Sequence, residues 1–324
     1  MKRTLGIGNA LVDVLTKVDN EQILSELHLP KGSMQLLSTE AYAEVTRRMQ
    51  ALPTKLTTGG SACNTLLALS HLDAPTGMIG KIGDDENGRF FASYFAQRGI
   101  STRLLHDSRP TGVASTFITP DGQRTFGTYL GAAARLTADE LQQAWFEGYD
   151  YFYIEGYLVQ NHDLVLRAIE LAHAAGCEVC LDLASYNIVE ADLDFFRALM
   201  PSIDIVFANE QEAQALTGLE ARAAIDALAA TCHIAVVKIG KHGVWACHGT
   251  EVAHCPARDV PVVVDTTAAG DYFAAGFMHA LAAGEPLATC IARGSLLAGH
   301  IIEVVGTELP DATWQQLRLQ CGLA

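Results

Sequence analysis

The run Val264-Asp265-Thr266-Thr267-Ala268-Ala269-Gly270-Asp271 sets small residues directly ahead of an apolar segment, Tyr272-Phe273-Ala274-Ala275-Gly276-Phe277. At a helix start the first N–H groups lack intrahelical acceptors, and the helix dipole adds positive potential there. The amides of Ala268, Ala269, Gly270 and Asp271 therefore predict an anion site that no large side chain blocks. Asp271, beside such an anion, is placed to accept a proton from an attacking hydroxyl. Aspartate also caps helices commonly, so the local pattern leaves both roles open. A second turn of small residues, Thr58-Gly59-Gly60-Ser61-Ala62-Cys63-Asn64-Thr65, leads into a helix predicted over 66–72. Gly59 and Gly60 let backbone approach a ligand closely, and Asn64 can hold a hydroxyl as both donor and acceptor.

Other phosphate and metal designs are missing or incomplete. Gly6-x-Gly8 lacks the third glycine of the dinucleotide fingerprint, since Leu11 stands in its place, and no Walker-type run occurs. A nicotinamide enzyme is thereby disfavoured. Cys177-Glu178-Val179-Cys180 has a zinc or redox spacing. No second pair follows, and the segment lies where a helix ends at Gly176 and a strand begins, so core cysteines are expected. The eight cysteines show no disulfide framework, which implies reduced thiols and a cytoplasmic protein.

In order and separation, Gly59-Gly60-Ser61-Ala62-Cys63-Asn64 and Asp265-Thr266-Thr267-Ala268-Ala269-Gly270-Asp271 resemble the two signatures of the ribokinase (PfkB) superfamily of carbohydrate and nucleoside kinases. The resemblance implies transfer of the ATP γ-phosphoryl to a primary hydroxyl. Asp271 would be the base, with Ala268, Ala269 and Gly270 as anion hole; the commoner signature has Gly where Ala268 stands. Asn209-Glu210-Gln211-Glu212 looks like the family's Asn-x-x-Glu element, which implies Mg2+ and phosphate placement by Asn209 and Glu212 through water. Those two residues also have the spacing of a helix capping box. Lys238-Ile239-Gly240-Lys241-His242-Gly243 resembles the segment bordering the nucleotide, implying contacts from Lys238, Gly240 and Gly243. Asp265 and Thr267, completed by Gly306, resemble a K+ site of cation-activated members.

For the acceptor, Gly8-Asn9-Ala10-Leu11-Val12-Asp13 resembles the opening of the adenosine-kinase branch, which implies Asn9 at the site and the Asp13 carboxylate bridging two adjacent ribose hydroxyls. Gly59, Gly60 and Asn64 would complete this subsite, and Tyr157 of Glu155-Gly156-Tyr157 would line a base pocket. A nucleoside is the expected acceptor; a free or phosphorylated sugar is the alternative, with Arg124 as its cationic anchor. A catalytically silent sugar- or nucleotide-binding regulator is the reading from another class. The molecule is expected as monomer or homodimer.

These residues must be positioned by the rest of the 324-residue chain, of which 49% is apolar and 18% charged. Lys and Arg number 22 against 37 Asp and Glu, a net charge of −15 that disfavours nucleic acid and anionic membranes as partners. No apolar stretch approaches a membrane span, and the glycine-broken N-terminus reads as a first strand rather than a leader. From residue 149 onward, strands predicted over 151–155, 178–183, 203–208 and 233–239 alternate with helices over 163–175, 193–200, 210–217 and 221–230, and strands over 244–248 and 250–255 follow. That rhythm predicts an α/β doubly wound, mostly parallel sheet with helices on both faces, whose ligands bind at the strands' carboxyl ends. Segments 11–18, 32–37, 112–119 and 123–130 break it. They read as a small β-sheet lid, inserted at about 11–38 and 110–130 into a single kinase domain spanning 1–324.

Overall fold

The computed structural model describes residues 1–323. Its strands are β1 (Thr4–Ile7), β2 (Leu11–Lys17), β3 (Met34–Leu36), β4 (Thr54–Gly59), β5 (Thr76–Gly83), β6 (Ser101–Asp107), β7 (Gly112–Ile118), β8 (Arg124–Tyr129), β9 (Tyr151–Glu155), β10 (Glu178–Asp182), β11 (Ile205–Asn209), β12 (Ile234–Lys238), β13 (Val244–His248) and β14 (Glu251–Cys255). Nine of them form one sheet in the order β14-β13-β12-β11-β10-β9-β1-β5-β6, parallel from β12 to β6. β13 and β14 extend it as antiparallel edge strands. Every residue of β1, β5 and β9 is buried, as expected for parallel strands covered on both faces.

One face packs beneath the helices Ser61–His71, Ala269–Ala282 and Leu287–Ile301, with Leu66, Phe91, Phe273 and Phe277 in the core. The other packs beneath His162–Ala174 and its neighbours, around Ile154, Leu164, Phe196 and Val206. The helix His162–Ala174 buries Leu164, Val165, Ala168, Ile169, Leu171 and Ala172, an apolar stripe of helical period. Its start is capped by the Asn161 side chain on Leu164 N–H, and Gly176 follows its end with a positive φ of 80°.

The carboxyl ends of the central parallel strands lie side by side, which aligns Lys238, Asn209, Asp182 and Glu155. In register, Asn209 stands opposite Lys238, and Asp182 opposite Glu155. Above them lies the smaller sheet, in the order β3-β8-β7-β2-β4. Residues of one parity on β2, including Asp13, Leu15 and Lys17, share a face with Thr57, Lys55, Ile118 and Arg124 of neighbouring strands. The other face of this sheet, with Phe117 and Val18, packs on Val45 and Met49 of the helix Thr39–Met49 and on Leu24 and Leu29.

Two features depart from the sequence expectation. β4 is a fifth strand in the smaller sheet, where the glycine turn had concealed its end. The helix expected to begin at 66 starts at Ser61, because Gly60 adopts φ 100° and turns the chain directly into it. Among the described residues no helix is long and apolar enough to cross a membrane.

Candidate active site

Asp271 lies in the first turn of Ala269–Ala282, but it does not cap that helix. The N-cap is Ala268, in the left-handed region at φ 60° and without a side-chain cap bond. The Asp271 carboxylate instead reaches across to the other small-residue turn, accepting from Ser61 Oγ at 2.6 Å on Oδ1 and from Asn64 Nδ2 at 2.8 Å on Oδ2. Each oxygen keeps a lone pair for a further donor. Burial first, and the nearby Asp182 charge, push Asp271 up to about 6, against the pull of Ser61, Asn64 and Lys238. A carboxylate with that pKa is a competent base near neutral pH.

Around it stands the backbone of the expected anion site. Ala269 N–H closes a turn on the Thr266 carbonyl at 3.2 Å. The N–H groups of Ala268, Gly270 and Asp271 have no partner among the described residues. Lys238 Nζ stands 3.1 Å from the point where a β-carbon on Gly270 would lie, so glycine here lets a cation meet the turn.

The acceptor-side residues separate into two layers. Asn9 is buried and donates its amide to Glu155 Oε1 at 2.6 Å; Glu155 Oε2 accepts Ala62 N–H at 3.1 Å. Glu155 thus serves as the cap of Ser61–His71, and burial pushes it up to about 7. Gly59 and Gly60 allow close approach to protein rather than open a path for a ligand. A β-carbon on Gly59 would lie 2.1 Å from Asp13 Oδ1, and one on Gly60 2.1 Å from the Asn9 carbonyl. Asp13 takes no hydrogen bond from the described residues. Burial, with Asp271 and Glu308 adding repulsion against the pull of Arg124, raises it to about 7. Beside Asp13, its neighbours Leu15 and Thr57 line a cavity of about 520 Å³ together with Ile118, Val305, Lys17 and Lys55 among others; Asp13 itself is not in that lining. Tyr157 follows β9 in the short helix Gly156–Gln160; burial, with Glu155 and Asp271 next, holds its hydroxyl far above the ordinary range.

On the nucleotide side Asn209 and Glu212 form the expected capping box. Asn209 N and Nδ2 donate to Glu212 Oε2 and Oε1, each at 2.7 Å, and Glu212 N–H donates to Asn209 Oδ1 at 2.9 Å. Both carboxylate oxygens already carry a donor, so Glu212 fits water-mediated rather than direct contact with Mg2+, an ion that keeps several of its waters. Burial first, and then Asp182, push Glu212 up to about 7. Lys238 Nζ lies 3.3 Å from Asp182 Oδ2. Burial disfavours its charge, but Asp182 and Glu212 outweigh that and hold the ammonium above its ordinary pKa. Gly240 and Gly243 bound the short turn after β12 with positive φ of 55° and 96°. The cluster is strongly acidic, so a polyphosphate must enter with its own divalent cation.

Arg124 and Asp265 are brought together where the sequence had separated them. Arg124 Nη1 stands 2.5 Å from Asp265 Oδ2, which also accepts Gly306 N–H at 3.0 Å. Asp265 Oδ1 accepts the Thr267 hydroxyl at 2.8 Å and its N–H at 3.1 Å. Arg124 Nη1 is thereby held by the loop ahead of Ala269, while its Nη2 is buried without an acceptor; the donor-saturated carboxylate does not fit a K+ ligand. The cysteine pair is core. Both thiols are buried, Cys177 against the carbonyls of Phe146 and Tyr149, and Cys180 beside Met278, and burial raises both. Among the described residues no cluster of three metal-ligating side chains occurs.

The pfkB family carbohydrate kinase model matches residues 36–314. The chain belongs to that family. It is a phosphotransferase with an alcohol acceptor, and the family implies ATP as donor. A solved structure described as a probable sugar kinase from Rhizobium etli is 31% identical with a TM-score of 0.88, covering 100% of this chain and 99% of that one. Adenosine kinase from Sinorhizobium meliloti is 32% identical with a TM-score of 0.87, covering 99% of each chain. Adenosine kinase of Saccharomyces cerevisiae is 28% identical over 330 residues, 94% of this chain and 96% of that protein.

In this PfkB kinase, Ser61, Glu155 and Asp182 contact the expected site residues Asp271, Asn9 and Lys238, though the sequence motifs did not single them out. Glu155 and Asp182 each end a parallel strand on the side where such sheets bind ligands, the signal that could have found them. Ser61 had none, because its partner lies 210 positions away.

Proposed function

We propose that this kinase phosphorylates the primary hydroxyl of a nucleoside, adenosine or a close relative, with ATP and Mg2+. The observation behind this reading is the Asp13 carboxylate, held by no protein donor, on one face of the smaller sheet with Leu15 and Thr57, which line a cavity shared with Ile118 and Val305. Two vicinal hydroxyls satisfy such a carboxylate, and a flat apolar base fills the space beyond it. A free monosaccharide leaves that space to water.

The acceptor's diol donates to Asp13, which directs its primary hydroxyl towards Asp271. Asp271 takes the proton as the oxygen attacks the γ-phosphorus in line; Ser61 and Asn64 fix the carboxylate's orientation. The free N–H groups of Ala268, Gly270 and Asp271 meet the transferring phosphoryl, and Lys238 offsets charge beside them. Glu212 and Asp182 would hold a nucleotide-bound Mg2+ through water, and the ion would supply charge neutralisation. The smaller sheet acts as the lid that excludes competing water.

Lys17 and Lys55 at the cavity favour a second reading, a phosphorylated sugar. Glu308 weakens it, since its Oε2 lies 3.5 Å from Lys55 Nζ. Coupled ADP release with ATP and Mg2+, measured separately with adenosine, other nucleosides, ribose, fructose and fructose phosphates, tests the choice. Adenosine or another nucleoside should give the highest kcat/KM; preference for a sugar or sugar phosphate refutes the nucleoside reading. ADP release with none of them, alongside acceptor-induced thermal shifts, favours a silent regulator.

A further inference from the structure

Asp265, Thr267 and Gly306 stand where the family resemblance implied a monovalent cation, yet their polar atoms face one another as donors and acceptor. The Asp265 carboxylate receives two N–H groups, one hydroxyl and a guanidinium. Arg124 and Asp265 are both more than nine-tenths buried, at 9% and 6% exposure. A potassium ion needs several oxygens converging on one point. The oxygens that face Arg124 Nη1 are those of Asp265 and Thr267, while Nη2, buried in the same place, has no acceptor. A metal cation beside Asp265 would also meet the Arg124 charge at close range, in surroundings that screen it poorly.

We propose that the Arg124 guanidinium replaces the monovalent cation in this kinase, tightening the loop 265–268 from the smaller sheet, so that the enzyme works without potassium. Arg124 sits on β8, while Asp265 and Thr267 lead into the anion site at Ala268. The charge that stiffens the loop therefore arrives with the sheet that covers it. Closure over substrate and ordering of the anion site become one event. Arg124 is a positioning residue in this scheme, acting on the phosphoryl group through the loop. The inference rests on the kinase activity of the family and not on which acceptor is used.

The test pairs turnover with thermal unfolding in buffers whose only monovalent cation is tetramethylammonium, with and without KCl at matched ionic strength. The expected result is equal turnover and an equal thermal midpoint for the natural protein. Arg124→Ala should lose about 10²-fold in turnover. KCl should return about tenfold of that loss and raise the variant's thermal midpoint, because the freed Asp265 now accepts the ion. A potassium-dependent rise in turnover or midpoint in the natural protein overturns the proposal. So does an Arg124→Ala protein that stays indifferent to KCl, which would give Arg124 a role unrelated to the cation. If that variant does not fold, the natural protein's two readouts decide alone, and the thermal arm stands even if the acceptor has been misassigned.

Discussion

At the start of the helix Ser61–His71 a buried glutamate takes the Ala62 N–H, and Gly60 brings the chain in at φ 100°. At the start of Ala269–Ala282 no side chain takes the place of Glu155, and Ala268 turns the chain at φ 60° with the neighbouring N–H groups left free. The first helix start is finished by the protein and lends its side chains, Ser61 and Asn64, to the other. The second is left open and receives them on Asp271. Two turns that look alike in sequence thus differ: one supplies the donors that orient Asp271, the other carries Asp271 beside unpaired N–H groups. The contrast teaches that a small-residue turn ahead of a helix becomes an anion site only where its amides stay unsatisfied.

The contrast is broken most severely at the receiving end. Asp271→Asn keeps the contacts' shape but removes the base, and should cost about 10²–10⁴-fold in kcat with little change in acceptor KM, measured by steady-state ADP release. Asp13→Ala separates substrate holding from chemistry. It should raise acceptor KM by tenfold or more, at about 1.5–3 kcal/mol per hydroxyl released from a charged partner. The same change should raise the thermal midpoint of the ligand-free protein at pH 8. Folding raises the Asp13 pKa from 3.8 to about 7, so the charge opposes folding above pH 7, and that penalty fades as pH falls towards 4. The finished helix start is tested by Glu155→Ala, which strips acceptors from Asn9 Nδ2 and Ala62 N. A loss of about 1–3 kcal/mol is expected in denaturant titration. The smallest effect belongs to Ala268→Gly. Glycine relieves the left-handed strain, so stability should change by no more than about 1 kcal/mol, in the stabilising direction, with turnover intact.

Much of this was legible in the chain. Strand-helix alternation from residue 149 onward located the parallel sheet, because strands buried on both faces and amphipathic helices differ in period as well as length. The small-residue turns located the start of Ala269–Ala282 but set the other helix start at 66, more than a turn beyond Ser61. The fifth strand of the smaller sheet, β4, was hidden because Thr54–Gly59 ends in the glycines that read as a turn. Arg124 reads in sequence as a substrate anchor, and nothing local tells that Asp265 is its partner. Ion pairs across the fold leave no periodic trace. Asn9 illustrates the same limit: its motif pointed to the site, while its side chain serves Glu155 and reaches the site only through it.

The pH profile of kcat for the accepted substrate, in the natural protein and in Asp271→Asn, decides whether Asp271 is the base. Asp271 must be ionised to take the proton, and its carboxyl is raised to about 6. Turnover should therefore fall on the acid side of an ionisation near pH 6 in the natural protein, and the residual turnover of the variant should lose that limb. A variant that retains both near-full turnover and the same acid limb would contradict the assignment of Asp271 as the base.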